Sequence, residues 1–285
     1  MKQITILSGK GGTGKTTISA SLAALAKNVV VADCDIDAPN LHLLLKPDIQ
    51  RIIEFKGLKL ARINSERCIQ CGLCEKNCRF EAIHSFHVDP IRCEGCKVCA
   101  HICPTGAIEL VERVCGQAYI SKTNFGSMSH ALLNPGMENS GKLVSLVRQN
   151  AKDIAKELGI KLIIIDGPPG IGCPVIASLA DVDASVLVVE PTVSGIHDLK
   201  RALKLIYQFK VEPFVCINKY DLNPSNMKNI EDFCVQEGIE VIGHIPFDHD
   251  VIKAMVTGLP VVEYAPRSPA SRAIKDLWNL LEKRI

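Results

Sequence analysis

The stretch Gly9-Lys10-Gly11-Gly12-Thr13-Gly14-Lys15-Thr16 fits the pattern G-x-x-x-x-G-K-[ST] and stands between the apolar run Lys2 to Leu7 and a segment rich in Ala, Ser and Leu, Lys15 to Lys27. The flanks read as a strand and a helix, the context in which such a loop binds phosphate. Its glycines let backbone N–H groups turn inward, and the helix adds the positive end of its dipole. Lys15 would then neutralise the β- and γ-phosphates of a nucleotide, and the Thr16 hydroxyl would complete a Mg2+ shell. Gly9, Lys10, Gly11, Gly12, Thr13, Gly14 and Thr17 complete the candidate cradle.

Outward from the loop, Asn28 to Ala32 reads as a second strand ending in Asp33, Asp35 and Asp37. A βαβ start implies a parallel sheet with right-handed crossovers. The alternation resumes late in the chain, with strands expected at 162–165, 185–189, 214–218 and 241–245 and helices near 142–158, 174–180, 196–209, 225–237 and 269–284. Such strands are continuous apolar runs, as expected where helices cover both faces. The predicted class is therefore α/β, a P-loop NTPase with a mostly parallel sheet flanked by helices. Leu162-Ile163-Ile164-Ile165-Asp166 is a strand whose terminal carboxylate would hold Mg2+ through water, and Asn218-Lys219-Tyr220-Asp221 ends another that would read a base. By itself N-K-x-D leaves adenine and guanine open.

Composition narrows the function classes. Lys and Arg number 33 against 31 Asp and Glu, a net charge of +2. No basic surplus is available for a phosphate backbone, so nucleic-acid binding is not expected. Apolar runs stay far below the roughly 20 residues that cross a bilayer, and Met1 to Leu7 lacks the pattern of a secretory leader, so membrane insertion is not expected and a cytoplasmic location is. In a reducing compartment, 13 cysteines point to metal ligands before disulfides.

Eight of them fall between Cys68 and Cys103, where periodicity breaks down. Cys68 to Ile83 repeats 25 residues later as Cys93 to Ile108, each copy carrying the spacing C-x2-C-x2-C-x3-C. That is the bacterial ferredoxin run, in which three thiolates serve one [4Fe–4S] cluster and the fourth serves the other. One cluster would take Cys68, Cys71, Cys74 and Cys103, and the second Cys93, Cys96, Cys99 and Cys78. Zinc is the rival, but its sites use four ligands, usually as two separated pairs. Arg79 stands where Pro often follows such a run, which removes no ligand. The expected organisation is a P-loop domain over 1–61 and 113–285 interrupted at 62–112 by a small α+β ferredoxin-like domain, with a hairpin at 113–131 turning at Asn124-Phe125-Gly126.

With its second lysine at position 10, K-G-G-T-G-K-T resembles the deviant phosphate loop of the MinD/ParA/Mrp/nitrogenase iron protein superfamily of ATPases, and the whole chain resembles members carrying an inserted two-cluster ferredoxin domain. The resemblance implies an ATP-dependent homodimer in which Lys10 reaches the partner's phosphates. It implies that Asp35 orients the attacking water, that Asp33 lies near Mg2+, and that Gly167 to Gly170 is a switch loop. It points to ATP, read by Asn218, Asp221 and the loop at Pro246. The implied activity is ATP hydrolysis coupled to electron transfer, with an unidentified redox partner; the alternatives are a cluster carrier of Mrp type that serves an apo-iron–sulfur protein, and a positioning ATPase.

Other residues have plainer readings. Cys173 follows Asp166 at the spacing of a bridging-cluster ligand in the nitrogenase iron protein, but Met137 to Lys142 offers no second cysteine of that type, so it reads as a small residue in a moving loop. Cys34, Cys115, Cys216 and Cys234 read as core, His84, His87 and His101 as surface, Asp37 as a turn cap, and Glu138 to Lys142 as a polar stretch capping a helix. Ala273, Ile274, Leu277, Trp278 and Leu281 form one face of a helix expected to pack on the sheet.

Overall fold

The computed structural model describes residues 1–137 and 140–285; Glu138 and Asn139, which begin the expected capping stretch, lie outside the described residues. In chain order the elements are β1 (Lys2–Ser8), α1 (Lys15–Ala26), β2 (Val29–Asp33), α2 (Leu41–Leu45), β3 (Asp48–Ile63), α3 (Leu73–Lys76), β4 (Ile83–His84), β5 (His87–Val88), α4 (Val98–Ile102), β6 (Ile108–Thr123) and β7 (Gly126–Leu133). Then follow α5 (Ser140–Leu158), β8 (Leu162–Pro169), α6 (Cys173–Leu179), β9 (Ala184–Val189), α7 (Val193–Gln208), β10 (Glu212–Asn218), a 3-10 turn (Tyr220–Leu222), α8 (Pro224–Glu237), β11 (Glu240–Ile245), α9 (His249–Thr257), α10 (Val261–Tyr264) and α11 (Pro269–Glu282). The chain divides into two compact units, one of Met1–Ile52, Ala118–Leu132 and Ser140–Ile285, the other of Ile53–Gln117 and Leu133–Asn139.

In the larger unit the strands run in the order β11-β10-β9-β1-β8-β2-β7-β6. Every pair from β11 to β7 is parallel, as the repeated strand–helix alternation predicts. The central strands are buried along nearly their whole length, β9 and β2 without exception. Their Val and Ile side chains meet helices on both faces. Ile274, Leu277, Trp278 and Leu281 are the buried face of α11, and Leu277 lies so close to Gly243 of β11 that a Cβ there would come within 2.7 Å of it. The β6–β7 turn falls at Asn124-Phe125, where Thr123 Oγ1 accepts from the Phe125 N–H and donates to the Gly126 carbonyl. Gly126, at φ +145°, admits no side chain, because a Cβ would stand 2.1 Å from the Val29 carbonyl oxygen of β2.

The smaller unit holds most of β3 and most of β6, with α3, β4, β5 and α4 between them. The 16-residue strand β3 escapes the sequence reading, which assigns nothing to 48–61, for a physical reason. Only Phe55 and Ala61 are buried along it, so it carries no alternation of apolar and polar faces. The 25-residue repeat is a structural duplication. Gln70 and Gly95, Gly72 and Lys97, and Glu81 and Gly106 are all at positive φ. Asn64 Oδ1 accepts from the N–H groups of Glu66 and Arg67, and Asp89 Oδ1 from those of Ile91 and Arg92.

Candidate functional site

The phosphate loop closes onto the sheet through a small set of contacts. Gly14 caps α1 at φ +91°, and a Cβ on it would stand 2.3 Å from Asn218 Nδ2. Gly9 is equally confined, since its Cβ would meet that of Asp198 on α7 at 2.2 Å. Only glycine permits both the left-handed turn at Gly14 and the close passage of α7. Lys15 is 5% exposed. Its Nζ lies 3.2 Å from Asp35 Oδ2 and 3.4 Å from Asp166 Oδ1. Thr16 Oγ1 donates to Asp166 Oδ2 at 2.8 Å, and Ser19 Oγ donates to Asp166 Oδ1 at 2.8 Å. Ser19 was missed from the motif; its position, one helical turn after Lys15 on the same face, is the signal that could have found it.

Three carboxylates meet around Lys15. Burial pushes the Asp33 carboxyl well above the usual range, and the charge of Asp166 pushes it further. Asp35 is raised too, by burial first, against the pull of Lys15. Burial alone would lower Lys15, but Asp166, Asp35 and Asp33 together hold it above its ordinary value. Among the described residues, Asp33 Oδ2 and Thr13 Oγ1 are buried polar atoms without a hydrogen-bond partner. An orphaned carboxylate oxygen beside Asp166 fits a hydrated divalent cation, and an orphaned hydroxyl in the loop fits a phosphate oxygen. Asp37 is exposed.

A cavity of about 590 Å3 opens from the loop, lined by Gly11 to Ile18, Asp35 and Asn218 and closed by Pro246, Phe247 and apolar side chains of α2 and α9. Asn218 Nδ2 donates to the Thr13 carbonyl at 2.8 Å, tying the N-K-x-D strand end to the phosphate loop. Asp221 Oδ1 accepts from the Phe247 N–H at 2.7 Å, so it joins the two base-side loops. Lys10 points elsewhere, into a group formed by Glu190, Thr192 and Ser194.

The smaller unit gathers the eight clustered cysteines into two sets. Cys68, Cys71, Cys74 and Cys103 line one cavity, and Cys78, Cys93, Cys96 and Cys99 line the other. The two crossing residues receive matched hydrogen bonds, from the Ala82 N–H to Cys78 Sγ and from the Ala107 N–H to Cys103 Sγ, each at 3.3 Å. Among the described residues, no three His, Cys, Asp or Glu side chains gather around a point where a single metal ion would sit. Cys34, Cys216 and Cys234 are buried thiols pushed up chiefly by burial, Cys216 to about 12 and Cys234 to about 11, and Cys115 is buried as well. Cys173 is exposed at the start of α6, with its Cβ 3.4 Å from where a Cβ on Gly141 would stand.

A glycine phosphate loop between β1 and α1, the acid Asp166 within the adjacent parallel strand β8 and a base-side cavity define a P-loop nucleotide-binding protein of the mostly parallel α/β class. The profile described as the CobQ/CobB/MinD/ParA nucleotide binding domain matches residues 4–261, so the chain belongs to that family. An uncharacterized protein of Methanocaldococcus jannaschii is 37% identical over 99% of this chain and 97% of its own length. An iron–sulfur cluster carrier protein of Pyrococcus horikoshii is 24% identical over 99% of this chain and 86% of its own. In fold the chain is similar to the septum site-determining protein MinD of Pyrococcus horikoshii, solved with Mg-ADP, at a TM-score of 0.62 and 18% identity over 99% of this chain and 96% of that one. No helix among the described residues is long and apolar enough to cross a membrane.

Proposed function

We propose that this protein is an ATP-hydrolysing switch, acting as a homodimer, that couples MgATP to electron transfer through two [4Fe–4S] clusters. The observation that carries the reading is the joint occurrence, in one chain, of a Lys15–Thr16–Asp166 phosphate site and two cavities each lined by four thiols. Thiolates in fours fit a cubane, and the N–H groups donating to Cys78 and Cys103 fit sulfurs that carry negative charge. The cluster bound by Cys68, Cys71, Cys74 and Cys103 and that bound by Cys93, Cys96, Cys99 and Cys78 would each accept and release one electron at low potential.

The nucleotide chemistry follows from which partners Lys15 exchanges. In the structure its ammonium is shared between Asp35 and Asp166. Incoming β- and γ-phosphates replace those carboxylates as its partners, which releases Asp35 to hold the attacking water. Mg2+ supplied with ATP would spread the charge that develops on the phosphoryl oxygens. Thr16, Asp33 and Asp166 are the residues to hold it. Asn218 and Pro246 bound the base, Asp221 holds the Phe247 loop beside them, and Lys10 completes the partner subunit's phosphate site. Water adds to the γ-phosphorus as the bond to ADP breaks, giving ADP and phosphate.

Cluster delivery to an apo-acceptor is the rival reading, supported by the name of the Pyrococcus relative. Full four-thiol ligation of each cavity favours clusters that stay. The test is made on anaerobic holo-protein. Iron and acid-labile sulfide of about eight each per chain, with a change in cluster potential or electron-transfer rate on adding MgATP, is the expected result. No response to MgATP in either quantity would refute the coupling, and rapid cluster loss to an apo-ferredoxin would move the assignment to the carrier reading.

A further inference from the structure

Glu190, immediately after β9, carries two lysines on one carboxylate. Its Oε1 is 2.5 Å from Lys219 Nζ, and its Oε2 is 3.5 Å from Lys10 Nζ. The side chain is 15% exposed, against 33% for Lys10 and 31% for Lys219. Its direction is set by a tight backbone turn, in which the Thr192 N–H donates to the Glu190 carbonyl at 2.7 Å. Gly195 passes that carbonyl so closely that a Cβ would approach it to 2.3 Å. Lys10 is held further by Thr192 Oγ1 at 3.3 Å and Ser194 Oγ at 3.4 Å. Lys219 follows Asn218 at positive φ, and Asn218 is the residue tied to the phosphate loop.

From this geometry we infer that Glu190 is a positioning residue that latches Lys10 within its own subunit, so that an ATP dimer forms only by breaking that contact. The inference rests on the proposed action of Lys10 across the dimer. A lysine bound to its own subunit's carboxylate and two hydroxyls must leave all three to reach a partner's phosphates. Glu190 does not become a bare charge when this happens, because Lys219 stays on its other oxygen. The shared carboxylate therefore lowers the cost of release, while the remaining contacts keep Lys10 from neutralising phosphate prematurely. Lys219 sets the strength of the latch, since it competes with Lys10 for the same carboxylate.

The competition gives the two lysine partners opposite signatures. Removing the charge of Glu190 frees Lys10, whereas removing Lys219 leaves the whole carboxylate to Lys10. Dimer dissociation constants are to be measured by sedimentation of holo-protein at saturating MgATP, in an Asp35→Ala background that prevents turnover. Because each dimer opens two latches, Glu190→Gln should tighten it about fivefold, the combined size of two partly exposed ion pairs, and Lys219→Met should weaken it by a similar factor. Adding Lys10→Ala should abolish the effect of Glu190→Gln, the coupling expected of two groups in contact. ADP affinity, read in dilute monomer, serves to separate a disturbed base site from a disturbed latch. An unchanged dimer constant in Glu190→Gln, or shifts of the same sign in both variants, would overturn the latch. If Lys10→Ala alone leaves dimerisation and turnover normal, the action of Lys10 across the dimer fails instead.

Discussion

Asp33 and Asp166 are direct neighbours on adjacent parallel strands, paired in register between β2 and β8, and both are buried. Two carboxyl groups side by side out of water repel unless one is neutral or a cation lies between them. Lys15 contacts Asp166 but donates nothing to Asp33, whose Oδ2 is without a hydrogen-bond partner among the described residues. The pair is a strained arrangement that a divalent cation would relieve, which is the physical ground for placing Mg2+ there.

Asp33→Asn removes the repulsion and keeps the acceptor for the Asp35 N–H. The ligand-free protein should gain about 0.5–2 kcal/mol of stability at neutral pH, as relaxing a functional site commonly does. Hydrolysis should fall at the same time. Urea unfolding beside a phosphate-release assay checks both, and a loss of stability would contradict the account of the pair.

Lys10→Ala and Asp35→Ala should leave iron and sulfide content unchanged and reduce ATP hydrolysis by at least about a hundredfold, the usual weight of a group that stabilises charge or positions the nucleophile. Normal turnover in the Lys10 variant would remove its proposed role at the partner's phosphates.

Gly14→Ala puts a methyl group 2.3 Å from Asn218 Nδ2 at a residue with φ +91°. The phosphate loop and the base-side strand end must then separate, breaking the Asn218 bond to the Thr13 carbonyl. Nucleotide affinity should fall more than about tenfold, corresponding to 1.4 kcal/mol, in a titration calorimeter. Gly238→Ala, at the positive-φ cap of α8 where a Cβ meets nothing within 4 Å, is the matched control.

His130 donates to or accepts from Ser121 Oγ at 2.9 Å and stacks on Tyr119. Burial, with a smaller push from His42, lowers its pKa to about 4. The unfolded chain, with its His near 6.5, therefore binds more protons between pH 6.5 and 4. The contribution to stability is present in full above pH 6.5 and is lost as the pH falls toward 4, reaching about 2–3 kcal/mol. Replacing His130 by Gln should flatten this part of the profile. Comparing urea midpoints of the two proteins at pH 7 and pH 5 isolates it, and parallel profiles would contradict the assignment.

Cys103→Ser and Cys78→Ser test the crossing of ligands between the repeats. Cys103 lines the cavity of Cys68, Cys71 and Cys74, and Cys78 that of Cys93, Cys96 and Cys99. Each variant should lose or convert one cluster only, the one built on the other repeat, bringing iron from about eight toward about four per chain. A spectrum in which Cys103→Ser disturbs the cluster of its own run would reverse the assignment.

The phosphate loop, the acids at 33, 35 and 166, Asn218 and the cysteine runs were all legible because each depends on residue type at short spacing. The 25-residue duplication was legible for the same reason, and it reappears in matched backbone angles at Gln70 and Gly95 and at Gly72 and Lys97. Strand β3 was not, because an almost uncovered strand leaves no periodic signature. Nor was Ser19, whose value arises only when β8 brings Asp166 beside α1.

By itself, then, the amino-acid order determined that a phosphate loop follows the first strand, that the sheet is mostly parallel, and that eight thiols come in two runs, since these are properties of local spacing and apolar pattern. Only the tertiary structure decided that Asp33 faces Asp166 and that one carboxylate at Glu190 holds both Lys10 and Lys219. Those relations link residues 29 to 209 positions apart, and no local propensity encodes them. They exist because strand register and helix packing bring distant side chains within a few ångströms, where burial strengthens every charge that they carry.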